Sequence, residues 1–237
     1  MVRITVIIPA LNPLPSLIGF IKELISLEIE SIIIVNDGSD GKYQAIFLEL
    51  EKLEKCIVIE HDKNLGKGRA LKTGFRYILR KLPKVQSVIT VGAHGQHQLR
   101  DVEQLIHNAH LFSNGIILGV RNFHSNKVSL KTRLGNHATS LLFALLFHKR
   151  LLDTQTGLRC IPRKELHWLM KVPGESYSYD SNMLIDAIKR NIPIYEIPIG
   201  HMGLKKNSLI HYDEITNTQK LIEQMITIYT KRRKIHK

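Results

Sequence analysis

The run Ser31-Ile32-Ile33-Ile34-Val35 constrains this chain more than any other stretch, because beyond its first residue neither alternating face carries a polar side chain. A strand with one solvated face would alternate; a strand apolar on both faces is one covered by helices on either side, as in parallel α/β sheets. The neighbouring segments follow the same plan. Ile4 to Pro9 reads as a first strand, and Asn12-Pro13-Leu14-Pro15-Ser16 as a turn and helix start. Leu17, Ile18, Ile21, Leu24 and Ile25 then share one helical face. A helix over Tyr43 to Lys52, a strand at Cys56 to Glu60, a Gly-rich turn at Asn64 to Gly68, a helix through Arg80 and a strand at Ser87 to Val91 follow. A helix at Leu99 to Phe112 and a strand at Ile116 to Val120 complete a βαβ series. After Arg121 the pattern loosens into a helix near Leu134 to Phe147, a strand at Leu158 to Pro162, a helix near Tyr179 to Arg190 and a strand at Ile194 to Ile199. The polar motifs fall at the C-terminal ends of the strands, where open α/β sheets bind ligands.

With 237 residues and 43% hydrophobic content, the chain can build one α/β domain with a substantial core. No repeat or Pro/Gly/Ser-rich linker divides it, so it reads as a single domain with a regular region 1–120 and a looser region 121–237. The net charge of +13 points to anionic partners: nucleotides, phosphorylated lipids, anionic membranes or nucleic acid. No helix-turn-helix, zinc-finger or aromatic stacking signature accompanies that charge, which sets nucleic acid aside. Cys56 and Cys160 lie in β-branched runs and read as small core residues in a reducing compartment. No basic leader with an apolar core opens the sequence, and no apolar run approaches the roughly 18 residues of a membrane span. The expected location is therefore cytoplasmic. Asp213 to Tyr229 has helical periodicity and ends in Lys231-Arg232-Arg233-Lys234, a solvated tail or a peripheral contact with an anionic membrane face.

An ordered series of motifs carries the chemistry. Val6-Ile7-Ile8-Pro9-Ala10-Leu11-Asn12 closes the first strand; Val35-Asn36-Asp37-Gly38-Ser39-Asp40 closes the second; Asn64-Leu65-Gly66-Lys67-Gly68-Arg69-Ala70 opens a helix. Later come Gly119-Val120-Arg121, Lys131-Thr132-Arg133-Leu134-Gly135-Asn136 and Leu152-Asp153-Thr154-Gln155-Thr156-Gly157-Leu158-Arg159. In this order, over nearly the whole chain, the series resembles family 2 glycosyltransferases, especially the branch that loads sugars onto dolichyl or polyprenyl phosphate. The resemblance implies a GT-A fold, with 1–120 binding a UDP- or GDP-sugar and 121–237 binding a lipid-phosphate or glycan acceptor, and inverting transfer. It places base and ribose on Pro9, Ala10, Asn12 and Asp37. The glycines of the Gly-rich turn would let backbone approach the ligand, and Lys67 with the helix start would favour its diphosphate.

One motif departs from the family. Where the family reads Asp-Ala-Asp-Gly-Gln-His, this chain reads Gly92-Ala93-His94-Gly95-Gln96-His97. The missing acids engage a divalent cation, Mn²⁺ or Mg²⁺, that neutralises the diphosphate. Gly92 has no side chain to offer, and His94 suits a softer metal. Three readings stand: His94 with His97 retains a metal, cations such as Lys67 and the arginines replace it, or transfer is lost. No organic cofactor is implied.

Arg121 and Arg133 match positions that hold the acceptor phosphate in the lipid-phosphate branch, a task for which guanidinium geometry is suited. Asp153 would orient the acceptor or an arginine and Gln155 would contact the sugar-phosphate, while the plainer reading is a loop braced by an Asp153 to Arg159 ion pair. A phosphate acceptor is already ionised and needs no strong base; for a hydroxyl acceptor, Asp153 and Asp180 are the candidate bases. Leu141, Leu142, Leu145 and Leu146 cluster on one helix, the pattern of core packing, with a lipid-facing surface flanked by His148, Lys149 and Arg150 as the alternative. The rival to an active transferase is a catalytically silent subunit that keeps only the nucleotide-sugar pocket.

Overall fold

The structure is a computed structural model that describes residues 2–95, 97–122, 130–176, 178–200 and 222–223, without the side chains of 130–132. Asp213 to Tyr229 (apart from 222–223) and Lys231 to Lys234 lie outside the described residues.

Seven strands, β1 (Ile4–Ala10), β2 (Ser31–Asn36), β3 (Cys56–Glu60), β4 (Ser87–Thr90), β5 (Ile116–Val120), β6 (Arg159–Pro162) and β7 (Ile194–Pro198), form one sheet in the order β3-β2-β1-β4-β6-β5-β7. Around them run α1 (Ser16–Ile25), α2 (Gln44–Glu51), α3 (Lys67–Lys81), α4 (Leu99–Leu111), α5 (Leu130–Phe147), the single turn α6 (Leu166–Leu169) and α7 (Ser178–Lys189). β1 to β4 are mutually parallel and β5 pairs parallel with β7. The sheet has two apolar faces. Ile7, Ile33 and Val35 pack with Phe75, Val88, Leu118 and Ile161 on one side, and Val6, Ile8, Ile32 and Ile34 pack with Leu17, Ile21, Phe47 and Leu105 on the other. Burial on both faces is what the unbroken apolar run of β2 requires.

β6 is the exception in direction, antiparallel to both β4 and β5. Its first residue, Arg159, therefore lies opposite Thr90 at the end of β4 and Leu118 near the end of β5. Reversal of this one strand delivers the segment before it, 151–158, to the edge where the parallel strands end. That edge carries Ala10 opposite Asn36 and Asn36 opposite Glu60.

α5 corrects one expectation. Its core side is formed by Asn136, Thr139, Phe143 and Phe147, while Leu141 and Leu145 are exposed and Leu142 and Leu146 only half-buried against the core. The inner side meets backbone: Asn136 Nδ2 donates to the carbonyl of Leu152 at 2.6 Å, Ser140 Oγ to that of Leu151 at 2.6 Å, and Thr154 Oγ1 bonds to Thr139 Oγ1 at 3.1 Å. Carbonyls turned inward need donors, which leucines lack, so the polar residues of α5 point in.

Candidate active site

The loops after β1 and β2 interlock. Asp37 N–H donates to the Ala10 carbonyl at 2.8 Å, Asn12 N–H to Ser39 Oγ at 2.9 Å, and the Asn12 amide clasps Asp40. Asn12 adopts φ 49°, a left-handed conformation that asparagine tolerates better than most residues. Pro9, Ala10 and Asn12 thus stand together on the edge above β1. Asp37 is buried, and its carboxylate points into the protein. Oδ1 is 2.7 Å from His61 Nδ1 and accepts from Leu65 N–H at 3.0 Å, while Oδ2 accepts from Gly66 N–H at 2.8 Å. It braces the loop that leads into α3. His61 is in turn held by Thr73 Oγ1 at 2.9 Å. Asn36 is also satisfied internally, accepting from Ser39 N–H at 3.0 Å and donating to Glu60 Oε1 at 3.1 Å.

The Gly-rich turn is close to something, but to protein. A Cβ on Gly66 would lie 2.3 Å from the Glu175 carbonyl oxygen, and one on Gly68 would lie 2.7 Å from the Tyr179 Cβ. Arg69 N–H donates to that same carbonyl at 3.1 Å. The glycines expected to admit a ligand instead admit Gly174 to Ser176 and Tyr179, and Glu175 fixes this contact by taking Arg69 Nε at 2.6 Å and Lys72 Nζ at 3.1 Å. These two bonds outweigh the upward push of burial and leave the Glu175 carboxyl below its ordinary pKa.

Lys67 reaches past this contact. Its ammonium pairs with Asp180 and passes Gly157 so closely that a Cβ there would be 3.2 Å from Nζ. Asp180 is shared: its carbonyl accepts from Arg159 Nη1 at 2.7 Å and its carboxylate lies 3.9 Å from the same nitrogen. Arg159 is fully buried, so burial draws its pKa down while Asp180 and Asp153 push it up. On the other side, Arg121 grips Asp153 with both arms of its guanidinium, Nε to Oδ2 at 2.5 Å and Nη2 to Oδ1 at 2.7 Å. Asp153 has no exposed surface and also accepts from Gln155 N–H at 3.2 Å. The ion pair expected between Asp153 and Arg159 is therefore replaced by one with Arg121. Arg133 stands exposed on α5 and takes no part in that pair; Gln155 is half-buried on the same segment as Asp153.

The family profile described as Glycosyl transferase family 2 matches residues 5–167. The chain belongs to that family. An uncharacterised protein of Methanocaldococcus jannaschii is 30% identical over 201 residues, covering 83% of this chain and 80% of the relative. A UDP-N-acetylglucosamine–dolichyl-phosphate N-acetylglucosaminyltransferase of Methanococcus voltae is 29% identical over 213 residues, 83% of this chain and 84% of its own. Among solved structures, glucosyl-3-phosphoglycerate synthase from Mycobacterium tuberculosis, bound to Mn²⁺, UDP and phosphoglyceric acid, superposes with a TM-score of 0.72 over 96% of this chain and 78% of that one. At 15% identity, that last likeness shows the GT-A fold alone.

That synthase was solved with Mn²⁺ and UDP; in this family 2 glycosyltransferase, the residues of the Gly92 to His94 turn do not fit a divalent cation. Gly92 offers no donor, Ala93 is buried, and His94 stands alone, kept neutral by burial that lowers its pKa. Among the described residues no group of three or more His, Cys, Asp or Glu side chains could hold a metal. His97 is a different case. It is buried, neither ring nitrogen has a hydrogen-bond partner among the described residues, and its pKa is pushed down to about 3 by burial and then by Lys67 and Arg121.

Three participants were not singled out from the sequence. His61 follows β3 as Asp37 follows β2, and the pairing of Asn36 with Glu60 puts the two side by side, so strand register was the available signal. Lys72 and Glu175 had none, being 103 residues apart. Glu196 on β7 accepts from Leu152 N–H at 2.7 Å and so holds the turn that carries Asp153; burial raises its pKa. Both cysteines are free, with thiols pushed by burial to about 11 for Cys56 and about 12 for Cys160, too high for reactivity near neutral pH.

Proposed function

We propose that this glycosyltransferase moves a sugar from a UDP- or GDP-sugar to the phosphate of a polyprenyl phosphate or related lipid acceptor, by single displacement with inversion. One observation carries this reading: both carboxylates of the cluster are already engaged, Asp153 bidentately by Arg121 and Asp180 by Lys67. His97, the remaining titratable group there, stays neutral and loses its proton affinity to burial. A hydroxyl acceptor needs a base to remove its proton, whereas a phosphate oxygen arrives ionised. The same pairing leaves neither carboxylate available as a covalent nucleophile, which supports one displacement over two. The M. voltae relative, by name a transferase to dolichyl phosphate, supports the acceptor class.

In this reading a phosphate oxygen of the acceptor attacks the anomeric carbon, the bond from that carbon to the diphosphate breaks, and the nucleoside diphosphate leaves with the bonding pair. Pro9, Ala10 and Asn12 line the base and ribose, and Asp37 acts through the loop it braces. Lys67 and the Gly92 to His94 turn face the diphosphate. Lys67 can turn toward phosphate without stranding Asp180, because Arg159 still supports that carboxylate from the buried side. Arg121, aligned by Asp153, and Arg133 receive the acceptor phosphate, and Gln155 contacts the sugar-phosphate. Cytoplasmic-side placement follows from the substrates, and no helix among the described residues is long and apolar enough to cross a membrane.

The experiment is a panel of UDP- and GDP-sugars offered with polyprenyl phosphate or with the matching polyprenol. Transfer to the phosphate and none to the alcohol is expected. Equal transfer to both overturns the phosphate-acceptor reading, and none with any donor favours the silent nucleotide-binding alternative, which the missing acids at Gly92 and His94 also motivate.

A further inference from the structure

α5 is built inside out. At about 100° per residue, Leu134, Ala138, Leu141 and Leu145 fall within one stripe about 60° wide, and Asn136, Thr139, Phe143 and Phe147 fall opposite. The second set is buried; in the first, Leu134, Leu141 and Leu145 are 61%, 53% and 64% exposed. Scattered exposed leucines are ordinary, whereas a stripe of them on one helix marks a surface that is covered in use.

Charge says by what. α5 contains no acidic residue. Arg133 is exposed beside Leu134, and His148, Lys149 and Arg150 are all exposed directly beyond the last turn. Apolar residues bordered by Arg133, Lys149 and Arg150 make a helix face suited to lying in the interfacial plane of an anionic bilayer. A second copy of this chain, with its own +13 charge, would meet like charge there. Position adds a second argument. Asn136 and Ser140 hold the carbonyls of Leu152 and Leu151, and the next residue, Asp153, holds Arg121. The leucine-bearing helix and the acceptor-side guanidinium thus hang on one short turn.

We propose that the exposed face of α5 seats this protein on an anionic lipid bilayer, with Arg121 turned toward phosphate groups carried in that bilayer. The orientation of Arg121 rests on the acceptor reading above; the seating does not.

Flotation of the full chain with phosphatidylcholine vesicles, with and without phosphatidylglycerol and always lacking polyprenyl phosphate, tests the seating independently of catalysis. The chain is expected to float with the phosphatidylglycerol vesicles and not with phosphatidylcholine alone. Leu141→Glu combined with Leu145→Glu should cut that partition about 10-fold or more with an unchanged unfolding midpoint, since both side chains already face out. Lys149→Glu with Arg150→Glu should abolish the preference for anionic vesicles. Undiminished flotation of the leucine variant overturns the proposal, as does a leucine variant that turns a dimer into a monomer without altering flotation. If vesicles capture the chain while no sugar is transferred to any lipid phosphate, the seating stands and the function proposed above falls.

Discussion

Acidification provides a direct measure of how the site is assembled, through His97. Its imidazole is buried, within the influence of Lys67 and Arg121, with no hydrogen-bond partner on either nitrogen among the described residues, and its pKa is pushed from 6.5 to about 3. The unfolded chain takes up a proton at this residue as the pH falls below about 6.5, while the folded chain does not until about pH 3. Stability from this source is therefore complete above pH 6.5 and lost progressively below it. At pH 5 the gap is 1.5 pH units, which at about 1.4 kcal/mol per unit costs about 2 kcal/mol. Urea unfolding at pH 7.5 and pH 5 measures the loss. His97→Gln keeps a polar side chain of similar reach but does not titrate, so its stability should fall by about 2 kcal/mol less over the same interval. Burial lowers the pKa of His94 as well, but that share is common to both proteins and cancels in the difference. Equal losses in the variant and the parent would refute the placement of His97 in a dry, cationic pocket.

Asn36→Asp would set a carboxylate about 3.1 Å from Glu60 Oε1; Coulomb repulsion of about 5 kcal/mol at an effective dielectric of 20 shrinks to about 2 kcal/mol because Glu60 is exposed. The loss should appear at pH 8 in urea unfolding, vanish near pH 4 and be rescued by Glu60→Gln; a pH-independent effect would contradict it. Gly68→Ala drives a methyl group to 2.7 Å from the Tyr179 Cβ and 2.9 Å from the Glu175 carbonyl carbon, so it should destabilise by about 2 kcal/mol and weaken sugar-nucleotide binding, with unaltered unfolding as the contrary result. UDP binding measured by calorimetry should change less than about 2-fold between EDTA and Mn²⁺, whereas Gly92→Asp combined with His94→Asp should bind UDP poorly in EDTA and recover with Mn²⁺; a 10-fold gain from Mn²⁺ in the parent would reveal a donor set beyond this turn.

β1 to β5 were readable because they are compact apolar runs rich in β-branched residues, and because burial on both faces erases alternation, as in β2. Direction was not. Nothing local to β6 distinguishes an antiparallel Arg159-Cys160-Ile161-Pro162 from a parallel one. Yet that reversal is what brings Asp153 and Gln155 to the active edge. One pairing was misread. Sequence proximity favours Asp153 with Arg159, six positions away, but the pair that forms spans 32 positions and joins the end of β5 to the loop before β6. α5 misled for a related reason. Four leucines on one helix ordinarily mark a core face, and only the tertiary arrangement, which sets backbone carbonyls of 151 and 152 against it, makes Asn136 and Ser140 the better inner residues.

Those pairs bear on the missing acids. Lys67, Arg121 and Arg159 set against Asp153 and Asp180 leave 3 − 2 = +1 in the cluster, His97 being neutral. Aspartates at 92 and 94, as in the motif the family usually carries, would take the same surroundings to −1, and a bound divalent cation would return them to +1. Gly92 and neutral His94 reach that charge directly, by omitting two negative charges instead of adding two positive ones. In the function proposed above, a diphosphate would meet the same net charge by either route. What differs is geometry: a cation fixes two phosphate oxygens at set distances, whereas a lysine on a flexible stem positions them only as firmly as its other partners allow. Lys67 is held at both sides, by Asp180 and by the bare surface of Gly157. In the function proposed above, Lys67 would turn from Asp180 to the phosphate, so the diphosphate would be neutralised without the fixed coordination that a metal imposes.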